Sequence, residues 1–283
     1  MSLEPAIEVG NVTITPIVES ALWSSPDAWI KGQDHSAVIA ATREWCDVTV
    51  ADDGWVVVPV RSYVVASEGQ TIVVDTGQGE PSPFAGMIPG WRVDGGDYLA
   101  DLAAAGVDPA SVDLVVMTHA HPDHVGWNTR EVDGELVPTF PNARYLLCER
   151  DWTMVEGFAQ LAERPLLSLR RLGVLDLAPG DRELTSEVRL LPTHGHTPGH
   201  VCVEIESAGE RALILGDVVH HKLSLAHPEL PEASDNDEAL ATRRALYARY
   251  AGSDVLILAS HFEGPAAGYL KRRGEGYEFA ATR

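Results

Sequence analysis

The stretch Thr118-His119-Ala120-His121-Pro122-Asp123-His124 decides how the rest of the chain is read. It follows a short apolar run at 114–117, which predicts a β-strand ending where the histidines begin. His119 and His121 stand two apart, so in an extended loop both imidazoles can be aimed at one cation. Pro122 constrains the backbone there, and Asp123 and His124 turn away towards a second cation. Imidazole nitrogen combined with carboxylate oxygen is the donor chemistry of zinc and similar first-row divalent ions.

Ten of the eleven histidines lie between positions 119 and 261, and most follow a predicted strand. His194, His196 and His200 follow the run at 188–191. Asp217, His220 and His221 follow 212–215, and His261 follows 255–258. Strand ends on one rim of a sheet converge, so residues far apart in the chain can share one site. Further strand-length runs occur at 12–18, 56–60, 62–66, 71–74, 144–147 and 201–205. Helical patterns at 97–105, 151–164 and 237–250 end at Gly106, before Pro165 and before Gly252. Strands interspersed with helices predict sheets covered by helices rather than an all-β sandwich. The Gly- and Pro-rich stretch 77–96 reads as one long loop, and 151–172 as a helical insert between the histidine clusters.

The 283 residues carry 21 Lys and Arg against 42 Asp and Glu, a net charge of −21. Such a field repels phosphate backbones, and no basic stripe offsets it, so no nucleic-acid partner is expected. No apolar run reaches the length of a membrane span, so no membrane partner is expected either. Positions 1–10 lack the basic and apolar regions of a secretory leader, and the expected location is the cytoplasm. Cys46, Cys148 and Cys202 are odd in number and far apart; the last two sit in apolar runs and read as buried thiols. A small-molecule substrate is the expected partner, and a homodimer is compatible with the sequence.

Five motifs then stand in one order: Asp75-Thr76-Gly77, the His119–His124 segment, Gly195-His196-Thr197-Pro198-Gly199-His200, Gly216-Asp217, and His261. Together they resemble the metallo-β-lactamase superfamily, closest to its lactonase and organophosphate-hydrolase branches. The resemblance implies a four-layer αββα sandwich of mixed α/β class, formed by a single domain over 1–283, with two pseudo-symmetric halves and the site on one edge. It implies that His119, His121 and His196 hold one metal, that Asp123, His124 and His261 hold the other, and that Asp217 bridges both. Two divalent ions are implied, zinc first, with manganese or iron as alternatives. Asp75 and His200 are expected to orient ligands rather than bind metal. His194 reads equally as a ligand-orienting or plain loop residue, and His35 and His227 as ordinary loop histidines. Trp127, Phe84 and Trp91 are candidates for lining a substrate pocket, with packed aromatics as the competing reading.

The implied chemistry is metal-assisted hydrolysis of a lactone, carboxylic ester or phosphotriester. A metal lowers the pKa of bound water to about 7, and the resulting hydroxide would attack the carbonyl. Asp123 would steer the nucleophile or carry its proton. Homoserine-lactone-cleaving relatives carry Tyr three residues after the bridging Asp; here that position is His220. His220 can donate a hydrogen bond to the carbonyl or leaving oxygen, or can serve only as a helix-entry residue. The alternatives are a glyoxalase II-like thioesterase and a persulfide dioxygenase-like oxidoreductase with one iron.

Overall fold

The computed structural model describes residues 4–25, 49–86, 90–155, 162–228, 236–265 and 267–282, with isolated positions 36, 39, 40, 43, 88, 157 and 232. His35 and Cys46 lie outside the described residues. The first sheet contains β1 (Ile7–Val9), β2 (Val12–Ser24), β3 (Val56–Ser67), β4 (Gln70–Val74), β5 (Trp91–Asp94), β6 (Leu114–Val116), β9 (Arg144–Cys148) and β10 (Leu175–Ala178). Its order is β1-β2-β3-β4-β6-β9-β10, with β5 also paired to β2. A separate hairpin joins β7 (Thr129–Val132) and β8 (Glu135–Pro138). The second sheet runs in sequence order through β11 (Val188–Pro192), β12 (Val201–Ser207), β13 (Glu210–Ile214), β14 (Leu256–Leu258), β15 (Ala267–Arg273) and β16 (Gly276–Ala280).

Period-two alternation sorts the side chains into layers. In β3, β4 and β6, Val65, Ile72, Val74 and Val116 point inward and meet Val188, Leu190, Val203 and Ile214 of the second sheet. Their neighbours Val64, Val73 and Val115 point outward, onto Tyr98 and Leu102 of α1 (Tyr98–Ala104). The one-turn helix α2 (Pro122–Val125), α3 (Glu149–Val155) and α4 (Ser168–Leu172) bury Val125, Trp152, Val155 and Leu169 in the same outer cluster. On the far side α5 (Lys222–Ala226) and α6 (Asp237–Tyr250) cover Cys202, Leu213 and Ile257 with Leu225, Leu246, Tyr247 and Tyr250. The layers are thus helix, sheet, sheet, helix, as expected. Each buried aliphatic contributes about 1.5–3 kcal/mol, so the sheets hold firmly enough to present their loops rigidly.

The two halves repeat one motif. An antiparallel pair (β3–β4; β12–β13) is followed by a helix and a parallel strand (β6; β14). The parallel arrangement brings the C-terminal ends of β4 and β6, and of β13 and β14, to one rim. Asp75, the His119–His124 segment, Asp217 and His261 follow those four ends directly.

Several expectations need correction. The runs at 56–60 and 62–66 form the single strand β3, because Arg61 is buried and bonded to the Phe262 and Gly264 carbonyls. Pro165 does not end a helix begun at 151. It lies inside a π-helical turn, Glu163–Leu167, that leads into α4, and the wider turn absorbs its missing N–H. The stretch 77–96 is not wholly a loop, since β5 falls within it.

Candidate metal centre

Seven side chains meet at the rim. One group is His119, His121, His196 and Asp217; the other is Asp123, His124 and His261. In each group the donor atoms all lie within 4.8 Å of one another. Asp217 faces both. Its Oδ2 is 3.5 Å from Nε2 of His119 and of His196. Its Oδ1 is 3.1 Å from Nε2 of His124 and 3.0 Å from Nε2 of His261. Asp123 Oδ2 stands 3.7 Å and 3.6 Å from the same two nitrogens. His121 Nδ1 and His196 Nε2 are 2.8 Å apart.

Hydrogen bonds behind the site fix which nitrogen of each ring faces inward. Asp75 takes a positive φ of 60° just past β4 and turns its carboxylate under the histidine motif. Its Oδ1 accepts from the Thr118 backbone N–H at 2.7 Å and its Oδ2 from the Thr118 hydroxyl at 2.8 Å. With that proton committed, Thr118 Oγ1 can only accept from His119 Nδ1 at 3.0 Å, which leaves Nε2 of His119 as a lone pair. Asp75 Oδ2 likewise accepts from His124 Nδ1 at 2.8 Å, and the Pro59 carbonyl accepts from His261 Nδ1 at 2.7 Å.

In their neutral forms His124 and His261 therefore aim two lone pairs at each other across 3.1 Å. A cation or a proton between them relieves that opposition. Nε2 of His119 is buried with no hydrogen-bond partner among the described residues. The donor set fits divalent metal: an orphaned imidazole nitrogen and converging nitrogen and carboxylate donors are what such an ion binds.

The electrostatics agree. Burial pushes His119 and His196 well below the usual imidazole range and His121 to about 4, so all three are neutral, the form that binds metal. Burial would also lower His124, but Asp217, Asp75 and Asp123 outweigh it and raise its pKa. With no metal bound, a proton thus takes the place of a cation among those carboxylates.

His200 does not join the cluster. Its Nε2 accepts the backbone N–H of Asp217 at 2.9 Å and its Nδ1 donates to Thr193 Oγ1 at 2.8 Å, so it holds Asp217 in place. The approach demands glycine at position 216, where φ is 53° and a Cβ would lie 2.7 Å from His200 Nε2. His194 packs beside α6, its carbonyl accepting from Thr242 Oγ1, and His227 closes α5. Trp127 stacks on Tyr98, and Phe84 meets Trp91 edge-on at 5.4 Å within a separate apolar cluster. All three aromatics are packed.

His220 is buried with Nε2 3.0 Å from Asp217 Oδ2, while its Nδ1 donates to Glu232 Oε2. Burial alone would lower His220, but Glu232 and Asp217 raise it to about 10. Glu232, which burial would raise, is held at about 2 by His220 and Arg243.

Three supporting acids were missed in the sequence. Asp151, at the start of α3, accepts from Ala120 N at 3.0 Å, Thr197 Oγ1 at 3.0 Å and Gly199 N, so it ties the two histidine loops together. Glu19 sits where the β2–β3 register shifts and accepts from Gln78 N at 2.7 Å and Trp127 Nε1. A carboxylate amid the apolar run of β2 was the one clue to it. Glu232 is visible only through its contacts.

The metallo-β-lactamase superfamily model matches residues 55–261, so the chain belongs to that superfamily. It is 26% identical over 201 residues to an N-acyl homoserine lactonase from a Bacillus species, covering 66% of this chain and 75% of the relative. An uncharacterized protein of Aquifex aeolicus (strain VF5) is 25% identical over 224 residues, covering 75% and 88%. Among solved structures, the hydrolase AbOPH of the beta lactamase superfamily superposes with a TM-score of 0.81 at 22% identity, covering 99% of this chain and 97% of that one. AidC, a dizinc quorum-quenching lactonase, gives 0.78 at 18% identity, covering 97% and 96%. At those identities the two structures establish a shared fold.

Proposed function

We propose that the protein is a dinuclear metal-dependent hydrolase that opens a lactone or cleaves a related carboxylic ester. The observation that carries this reading is the placement of Asp217, with one carboxylate oxygen against each histidine group. His119, His121, His196 and Asp217 would hold one ion, and Asp123, His124, His261 and Asp217 the other, with zinc the preferred metal. Bound divalent ions would supply a water of lowered pKa and a Lewis acid for the ester carbonyl.

The chain's own residues supply the rest. Asp123 is placed to take the proton of the attacking water and return it to the leaving alkoxide, so water and lactone yield a hydroxy acid. His220 presents Nε2 to the centre and donates a hydrogen bond to the carbonyl or leaving oxygen. An apolar cavity of about 260 Å³ adjoins His121, lined by Ile88, Val125, Met154, Val155 and Ala162. It suits the hydrocarbon part of a substrate better than a charged one. The N-acyl homoserine lactonase relatives support the choice of a lactone.

Protein stripped with chelator and reloaded with zinc, manganese or iron should be assayed on a panel of lactones, thioesters and phosphotriesters. The expected result is fastest turnover of a lactone or ester at two metals per chain. Thioesters cleaved fastest would replace the reading with a glyoxalase II-like one. One iron per chain with oxygen consumption would overturn hydrolysis altogether.

A further inference from the structure

Behind His220 lies a chain of buried polar groups. Glu232 Oε2 accepts from His220 Nδ1, and Glu232 Oε1 accepts from the Ser224 hydroxyl and stands 3.3 Å from Nη1 of Arg243. His220, Glu232 and Arg243 are 7%, 5% and 2% exposed. Ser224 belongs to α5 and Arg243 to the buried face of α6, among Ala239, Leu246 and Tyr247. An arginine and a glutamate in that setting are costly to bury, and apolar residues of similar volume would hold two helices at least as well. Their arrangement is ordered with respect to one atom, the Nδ1 of His220. A carboxylate only accepts, so Nδ1 carries a proton whatever the charge on the ring, and Nε2 is the nitrogen turned to the centre, 3.0 Å from Asp217 Oδ2.

We propose that Glu232, held by Ser224 and Arg243, is a positioning residue that accepts from Nδ1 of His220 and fixes the orientation of the doubly protonated ring, so that Nε2–H is the donor that meets the reacting oxygen of a bound ester. The proposal rests on the hydrolase reading for its consequence in turnover, but not for the hydrogen bond itself. It makes α6, which contributes no metal-binding side chain, part of the apparatus that aims the polar contact to substrate. An imidazole donates from Nε2 while Nδ1 is also protonated only with an acceptor behind Nδ1, and Glu232 is that acceptor.

Two measurements test it on the full chain. First, kinetics on the best ester of the panel are compared for wild type, Glu232→Gln, His220→Gln and the double variant. Glu232→Gln is expected to lower kcat about 10- to 100-fold with KM changed much less, and to add no further loss in the His220→Gln background. Losses that multiply in the double variant, or a Glu232→Gln enzyme as fast as wild type, would overturn the proposal. Second, proton NMR should show a downfield imidazole N–H resonance that disappears in His220→Gln. It is expected to vanish or move strongly upfield in Glu232→Ala, and to move partway in the milder Ser224→Ala variant. A resonance unchanged in Glu232→Ala would refute the positioning role even if no ester is turned over. Absence of ester turnover by wild type with the NMR shift intact would instead count against the hydrolase reading alone.

Discussion

Nδ1 of His124 lies 2.8 Å from Oδ2 of Asp75, although Asp75 directly follows β4 and His124 belongs to α2. The carboxylate also accepts two hydrogen bonds from Thr118, so one acid orients both ends of the histidine motif. Replacing Asp75 by Asn places an NH2 group opposite two donors. Affinity for the more weakly held metal should fall about 10- to 100-fold, measured by competition with a chromophoric chelator. An unchanged dissociation constant would mean that the backbone of α2 alone sets the His124 ring.

Asp217→Ala removes the group shared by the two clusters. Metal content after dialysis should drop from two equivalents to one or fewer, and ester turnover by about 100-fold or more. Elemental analysis beside the assay checks both; full turnover with two metals bound would remove the bridging role.

Asp151→Ala strands the N–H groups of Ala120 and Gly199 and the hydroxyl of Thr197 in the interior. Unsatisfied buried donors cost about 1–3 kcal/mol each, less what relaxation and water recover. A loss of about 2–4 kcal/mol in denaturant unfolding is expected, together with weaker metal binding, because the two histidine loops lose their tie. Stability within 0.5 kcal/mol of wild type, as is usual for neutral surface changes, would show the tie to be dispensable.

Burial raises the carboxyl of Glu19 to about 7, despite hydrogen bonds from Gln78 and Trp127 that favour the charged form. A folded-state pKa above the ordinary value of 4.5 means the native state binds more protons between those two values. Stability from this group is therefore present at low pH and is lost as pH rises through about 7. In metal-free protein the loss between pH 5 and 8 should be on the order of 2 kcal/mol, and Glu19→Gln should abolish that slope. Equal slopes for the two proteins in pH-resolved thermal melts would contradict it.

Much of the centre was legible because strand and ligand are adjacent in the chain. Leu114–Val116 followed by His119, and Glu210–Ile214 followed by Asp217, each pair a recognisable strand with residues whose chemistry has few other uses. The runs themselves predicted sheets covered by helices, and the αββα layering was implied by the family resemblance of the motifs that follow them. The supports were not legible, because Asp151, Glu19 and Glu232 act on partners far away in sequence; Glu19 and Trp127, for example, are 108 positions apart. The β7–β8 hairpin and the β15–β16 pair escaped for a different reason. Their strands are short or carry charged residues, as in Lys271-Arg272-Arg273, and so lack a clear apolar alternation.

His124 and His261 touch although 137 positions separate them, one in α2 beyond β6 of the first sheet and the other just past β14 of the second. No short segment of the chain can assemble both halves of the centre, so closing that long loop must precede full occupancy. A cation placed between those two histidines would therefore tie the two sheets to each other, a link that only the folded chain can make.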